Sequence, residues 1–313
     1  MVTANEPLVR EGLSETEKGA LYCVLAHLVW GGMAFYFGLI RHISAPEIAI
    51  HRGLWSLPIA AMLLIALGRF RDTLRIFANP RVFLTLAFTS FLIVFNWGLY
   101  IWSIEAGRTT EATLGYYVNP LLNVIAGYLF LGERFKVAQI VAIAVAAGGV
   151  VVETIAAGVF PWLGLMLGTT FCLYGFIRKT VSVGPIEGFF VETAIIAGPA
   201  LGFAIWLGRS GHAAFLSNTY DTLMLMGCGA MTSAALILFT AAIRRIRYST
   251  AGLMQYISPS LVFLTAVFVF GEPMDRWKLI SFILIWIALL IFTVSALRED
   301  RGRSLPVEDP TAA

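Results

Sequence analysis

Residues 113–133 read TLGYYVNPLLNVIAGYLFLGE, and residues 252–272 read GLMQYISPSLVFLTAVFVFGE. Each is an apolar run long enough to cross the roughly 30 Å hydrocarbon core of a bilayer as a helix. Neither alternates apolar and polar residues as a barrel strand does. At a constant offset of 139 the two stretches and the residues before them pair Arg108 with Arg247, Tyr117 with Tyr256, Asn119 with Ser258, Pro120 with Pro259, Gly132 with Gly271 and Glu133 with Glu272. A weaker match sets Trp30-Gly31 against Tyr174-Gly175. A segment that recurs after five spans crosses the membrane in the opposite sense, because five is odd. Inverted repeats of this kind provide a transporter with two pseudo-equivalent states, open inward and open outward.

The rest of the chain has the same character. Hydrophobic residues make up 58% of it and charged residues 13%, against about 25% charged in a soluble domain. Where no water reaches the backbone, each apolar segment must satisfy its own hydrogen bonds, as a helix does. The predicted spans are 19–40, 46–68, 81–104, 109–131, 135–156, 160–180, 185–207, 221–243, 248–271 and 276–297. The domain reading is a cytoplasmic tail over 1–18, a first five-helix repeat over 19–156, a second, inverted repeat over 160–297, and a polar cytoplasmic tail over 298–313. The head of the chain, with Glu11, Glu15, Glu17 and Lys18, lacks the basic region and small-residue cleavage site of a secretory signal, so the first span is expected to remain. Cys23, Cys172 and Cys228 lie singly in apolar spans and form no metal or disulfide pattern.

With the N-terminus inside, sixteen of the 22 Lys and Arg fall on cytoplasmic segments: Arg10, Lys18, Arg69, Arg71, Arg75, Arg81, Arg134, Lys136, Arg178, Lys179, Arg244, Arg245, Arg247, Arg298, Arg301 and Arg303. Five fall on outer junctions (Arg41, Arg108, Arg209, Arg276, Lys278), and Arg52 lies within a span. That excess over short loops predicts cytoplasmic termini. Trp102, Trp162, Trp206 and Trp277 then share the outer interface, as an aromatic belt does. The predicted fold is an all-α membrane protein with ten transmembrane helices as two inverted five-helix repeats and both termini cytoplasmic. The predicted location is a bacterial inner membrane.

Five stretches together carry a resemblance: WGGMAFYFGLI in the first span, EIAIHRGLWSLP in the second, FNWGLYIWSIE in the third, ATLGYYVNPLLNVIAGYLFLGERF in the fourth and STAGLMQYISPSLVFLTAVFVFGE in the ninth. Over about residues 18–297 the chain resembles the RarD-type, chloramphenicol-sensitivity proteins of the EamA family in the drug/metabolite transporter superfamily. The resemblance implies two EamA repeats, ten helices and transport of small organic metabolites or drugs. It supplies no substrate.

Pro120 and Pro259 each sit near the middle of a span. A mid-helix proline removes one backbone hydrogen bond and crowds the preceding turn, and interrupted helices at matching positions of two halves point to a transporter's site. Tyr116, Asn119 and Asn123 share one helical face beside Pro120, while Gln255, Tyr256 and Ser258 flank Pro259. Asn96, Tyr100 and Ser103 form a similar stripe on the third span. With Trp30 and Tyr117 these residues are candidates for the substrate pathway; the alternative is hydrogen bonding between packed helices. His51, Arg52 and Glu192 are candidate gate or intramembrane charges, since a charge at the bilayer centre costs about 2.5–3.5 kcal/mol on insertion scales. Glu47 and His51, at i and i+4, could instead pair with each other. Arg52 and Glu192 are expected at different depths and not in a direct bridge. His27 reads as a packed core histidine.

Other features have a structural reading. Gly132 and Gly271 follow their helices as left-handed caps, Glu111 suits a helix start, and Gly164 and Gly168 give the GxxxG spacing of a close helix crossing. No GxxxxGK[ST], HExxH or GxSxG pattern occurs, so neither ATP-driven pumping nor hydrolysis within the chain is indicated. The expected protein is not an enzyme, uses no cofactor, and has a small-molecule substrate and the lipid bilayer as partners, with no nucleic acid and no ATPase subunit. The leading function is a secondary-active exporter working by alternating access around a midplane cavity. The alternatives are a non-transporting membrane subunit and an intramembrane lipid-modifying enzyme, which would need His51, Arg52 and Glu192 at one depth.

Overall fold

The structure is a computed structural model that describes residues 13–269, 271 and 276–303. Expectations for the polar ends of the chain, for Glu272 and for the side chains of Thr109 and Thr110 lie outside what it describes. The described residues form helices and connecting turns, with no strand among them. The long helices are α1 (Glu15–Leu39), α2 (Ala45–Ala66), α4 (Pro80–Glu105), α5 (Thr109–Phe130), α6 (Val137–Ala157), α7 (Trp162–Thr180), α8 (Pro185–Arg209), α9 (Thr219–Ile243) and α12 (Arg276–Arg303). Between α2 and α4 lie a short α3 (Phe70–Leu74) and a 3₁₀ turn (Arg75–Ala78), and the ninth predicted span divides into α10 (Tyr248–Met254) and α11 (Ile257–Phe268). Most predicted ends agree within a few residues. The exceptions are α1, which starts at Glu15, and α12, which continues to Arg303.

Local chemistry explains these boundaries. Ser14 starts α1 with a capping box: its hydroxyl accepts from the Glu17 amide at 3.2 Å while the Glu17 carboxylate accepts from the Ser14 amide at 2.8 Å. Asn79 and Asn218 accept amides in the first turns of α4 and α9. Gly132 and Gly271 stand just past helix ends with φ of +66° and +69°, where a residue with a Cβ would be strained.

Among the described residues, eight helical segments are long and apolar enough to cross a membrane; α10 and α11 count as one of them. The two long helices outside that set are α5 and α7. α5 carries Tyr116, Tyr117, Asn119 and Asn123, and α7 ends in Arg178 and Lys179, so their lower apolarity follows from their polar load. Both sit inside the bundle, packed on each other and on partners from the other half of the chain. Large side chains such as Phe130, Ile155, Phe268 and Leu290 are instead 67–74% exposed, an outward apolar surface suited to lipid.

The helix pairing is two-fold. Exchanging α1, α2, α4, α5 and α6 in order with α7, α8, α9, α10–α11 and α12 maps the principal contacts onto one another. The pair α1·α9 becomes α7·α4, α2·α9 becomes α8·α4, and α1·α11 becomes α7·α5, while α2·α8, α5·α10 and α6·α12 map onto themselves. Small residues allow the tightest crossings. A Cβ on Gly164 would stand 2.7 Å from the Gly115 amide nitrogen, and one on Gly252 would stand 2.7 Å from the Asn123 Cβ.

Candidate functional site

Both prolines lie inside the bundle: Pro120 and Pro259 are buried. Their helices respond differently. The α10–α11 segment breaks at Gln255 and Tyr256, whose amides make short i−3 hydrogen bonds to Gly252 and Leu253. Gln255 is the residue whose carbonyl the ring of Pro259 would crowd, four positions earlier. α5 runs unbroken through Pro120. The expected pair of interrupted helices is therefore a single interruption, lying against one continuous helix.

The crossing of α5 with α10–α11 gathers most of the amides singled out in the sequence. Asn119 Nδ2 donates to Gln255 Oε1 at 2.6 Å, and the Tyr256 hydroxyl donates to the Tyr117 carbonyl at 2.9 Å, joining residues 139 apart. Asn123 is fully buried, and among the described residues neither of its amide atoms, nor Asn119 Oδ1, nor Gln255 Nε2 has a partner. Each such atom costs about 1–3 kcal/mol, so four of them at one crossing call for a functional account. Ser258 lies just beyond, bonded to Nδ1 of the buried His27 at 3.0 Å. Trp30 packs against His27, Phe171 and Phe239. The Tyr117 side chain is 3% exposed and packs on Phe282 with a ring separation of 5.6 Å.

One turn along α5 from Asn119, Tyr116 meets Tyr100 of α4 edge to face at 6.0 Å. Asn96 donates to the Leu167 carbonyl and to Thr170 Oγ1 of α7, at 2.8 and 2.9 Å. Ser103 turns back to the carbonyl of Tyr100. The guanidinium of Arg52 stands 4.5 Å from the Trp97 ring and 5.7 Å from Phe37, and its Nε donates to Thr232 Oγ1 at 3.0 Å.

The three candidate charges do not form one cluster. His51 Nδ1 accepts from the Trp55 indole at 3.2 Å and its ring lies 4.5 Å from Phe215. Glu47 is bonded instead to the amides of Ala214 and Phe215, at 2.8 and 2.9 Å. Glu192 pairs with Arg178, whose Nε is 3.3 Å away though out of line for a hydrogen bond. It also accepts from Thr89 at 2.6 Å and Tyr174 at 3.3 Å. Arg178 is completely buried and donates to the carbonyls of Gly184 and Pro185. It is thus an interior cation and not the loop charge its neighbours Lys179 and Thr180 suggest. Glu192 was the available signal, because a buried acid demands a cation near its own depth.

Glu133 has a role that the sequence did not disclose. Beyond the cap at Gly132, its carboxylate accepts from the amides of Tyr248 and Ser249 and from the Ser249 hydroxyl, so it serves as the N-cap of α10 from 115 residues away. Glu133→Ala is expected to cost about 1–2 kcal/mol, read as a lower melting temperature in detergent, with Glu133→Gln intermediate. No change in melting would remove the cap from the stability account.

Two clefts lie elsewhere: about 450 Å³ beside Lys136, Leu290 and Ser295, and about 300 Å³ beside Arg69, Asp72 and Glu187.

Taken together, the apolar exterior and the eight apolar spans among the described residues define a multi-pass helical membrane protein. The sequence pattern of the EamA-like transporter family matches residues 17–154 and again 161–294. An uncharacterized transporter from Vibrio cholerae is 40% identical over 289 residues, covering 92% of this chain and 96% of its own. Protein RarD of Streptomyces exfoliatus is 38% identical, covering 92% of each chain. A crystal structure with 17% identity superposes with a TM-score of 0.72 over 90% of this chain and 99% of its own, a likeness of fold alone. The chain belongs to the EamA-like transporter family as a RarD-type member, in a bacterial inner membrane.

Proposed function

We propose that the protein is a secondary-active exporter of small organic metabolites or drugs, working by alternating access. Ten spans form two five-helix repeats, 19–156 and 160–297, inverted relative to each other, with both ends of the chain in the cytoplasm. The two-fold helix pairing, the odd number of spans per repeat and the inner excess of Lys and Arg support this arrangement. The observation that carries the transport reading is the set of amide atoms on Asn119, Asn123 and Gln255 without a partner among the described residues, buried where the broken α10–α11 helix crosses α5. A passing solute supplies the hydrogen bonds these atoms lack, and the break at Gln255–Tyr256 lets the helix shift as the halves rock. Few charges lie at this crossing, so the site suits an uncharged, zwitterionic or aromatic-bearing solute and not a multivalent ion.

The test is flux from proteoliposomes loaded with a broad panel of labelled metabolites. Wild-type protein is expected to move at least one compound faster than passive leak. Asn119→Ala and Gln255→Ala should each lower that flux about tenfold, the equivalent of roughly 1.4 kcal/mol, with membrane insertion unchanged. Flux equal to leak across the panel, or unaltered flux in both variants, defeats the proposal. Tyr117→Ala is a poorer probe, because removing its ring opens a hole against Phe282.

A further inference from the structure

Arg52 is the least explained charge in the bundle. It lies about 10 Å along α2 from its first residue, at 1.5 Å per residue, and is half-buried. Its surroundings come from five helices: Phe37 on α1, its own α2, Trp97 and Tyr100 on α4, Tyr116 on α5 and Thr232 on α9. A side chain ringed by helices of both halves does not look out on lipid. Even so, Tyr116, beside it, is 49% exposed, so protein does not seal the pair off completely.

A guanidinium offers five N–H donors in a planar fork. In Arg52 only Nε is used among the described residues, by Thr232. No carboxylate stands within ion-pair distance of it among those residues. Glu47, the acid on its own helix, is committed to the amides of Ala214 and Phe215. Arg178, the other interior arginine, shows how this bundle treats a cation it means to neutralise: Glu192 is placed against it. The Arg52 fork is instead held from one side by Thr232 and flanked by ring faces, with its two terminal nitrogens uncommitted. Two terminal nitrogens of one planar fork match a carboxylate, which accepts from both. Flat ring surface stands nearby: Trp97 lies 4.5 Å from the guanidinium, and Tyr100 and Tyr116 meet edge to face at 6.0 Å.

We propose that Arg52 binds the carboxylate of a monoanionic solute whose planar aromatic part packs on Trp97, Tyr100 and Tyr116. This deepens, and rests on, the transporter reading by naming the chemistry of the cargo. Thr232 is a positioning residue, orienting the fork through Nε.

The experiment is a binding series on purified protein in neutral-lipid nanodiscs, read by quenching of tryptophan fluorescence and by thermal shift. The probes are 3-phenylpropionate, its neutral amide 3-phenylpropionamide, and hexanoate, which keeps the carboxylate and lacks the ring. Wild-type protein is expected to bind 3-phenylpropionate at least tenfold more tightly than either of the others. Arg52→Gln should bring the acid and the amide to within twofold of each other. Equal affinity of wild-type protein for acid and amide overturns the proposal without any variant, so a poorly folding Arg52→Gln leaves it testable. Tenfold loss of 3-phenylpropionate binding on adding phosphatidylglycerol would reassign the fork to a lipid headgroup and also overturn it. Flux in proteoliposomes separates the two readings. Solute movement unaffected by Arg52→Gln rejects the carboxylate site and keeps the transporter, whereas carboxylate-selective binding with no flux of any solute keeps the site and rejects the transporter.

Discussion

Arg178→Ala is expected to remove most of the folded protein from the membrane, at a cost of about 3–5 kcal/mol, the usual penalty for stripping one partner from a buried ion pair. The magnitude follows from isolation. Arg178 has no exposed surface and Glu192 is 2% exposed. Without the guanidinium, the carboxylate keeps only the hydroxyls of Thr89 and Tyr174 as donors. The fork also ties α7 to the carbonyls of Gly184 and Pro185 at the start of α8, so its loss loosens three helices at once. Glu192→Ala should be of comparable severity, since it leaves the cation without its anion. The double variant Arg178→Met with Glu192→Leu should recover most of the loss, because two apolar side chains leave no uncompensated charge. Melting in detergent and the monomer peak on gel filtration measure all three. Single variants that melt like the wild type, or a double variant worse than either single, would show that the pair does not hold α4, α7 and α8 together.

Gly164→Val is expected to separate α5 from α7, with a loss of about 1–3 kcal/mol or more. A Cβ there would stand 2.7 Å from the Gly115 nitrogen and 3.0 Å from the Leu114 carbonyl carbon. Both atoms are backbone and cannot rotate away. In lipid, where apolar burial between helices adds little, such close backbone approach is what holds helices together. The matched control is Gly148→Val in α6, where a Cβ would meet nothing within 4 Å. The measurement is again melting, combined with flux, because this crossing aligns Asn119 against α7. Equal effects of the two substitutions would mean that glycine at 164 matters for reasons other than contact.

Much of the fold was legible because a membrane span is decided locally. About twenty apolar residues must be helical in hydrocarbon whatever surrounds them, and helices lie within a few residues of the predicted spans. The internal repeat was legible too: the family pattern matches the chain twice, over 17–154 and 161–294, and the helix pairing is two-fold. The site was legible in part. Asn119, Asn123, Gln255 and Tyr256 could be singled out because amides and phenols in apolar spans need company. Their partners could not be named.

Sequence alone determined the solvent, the positions of the apolar helices, the repeat and the residue types that lipid would not tolerate unpaired. Tertiary structure alone decided which partner each polar group took. Glu192 chose Arg178 and not Arg52, Glu133 crossed to cap α10, and Pro259 broke its helix while Pro120 did not. The reason is physical: hydropathy acts residue by residue along one helix, whereas a hydrogen bond or ion pair between helices depends on crossing points set by small residues tens to hundreds of positions apart.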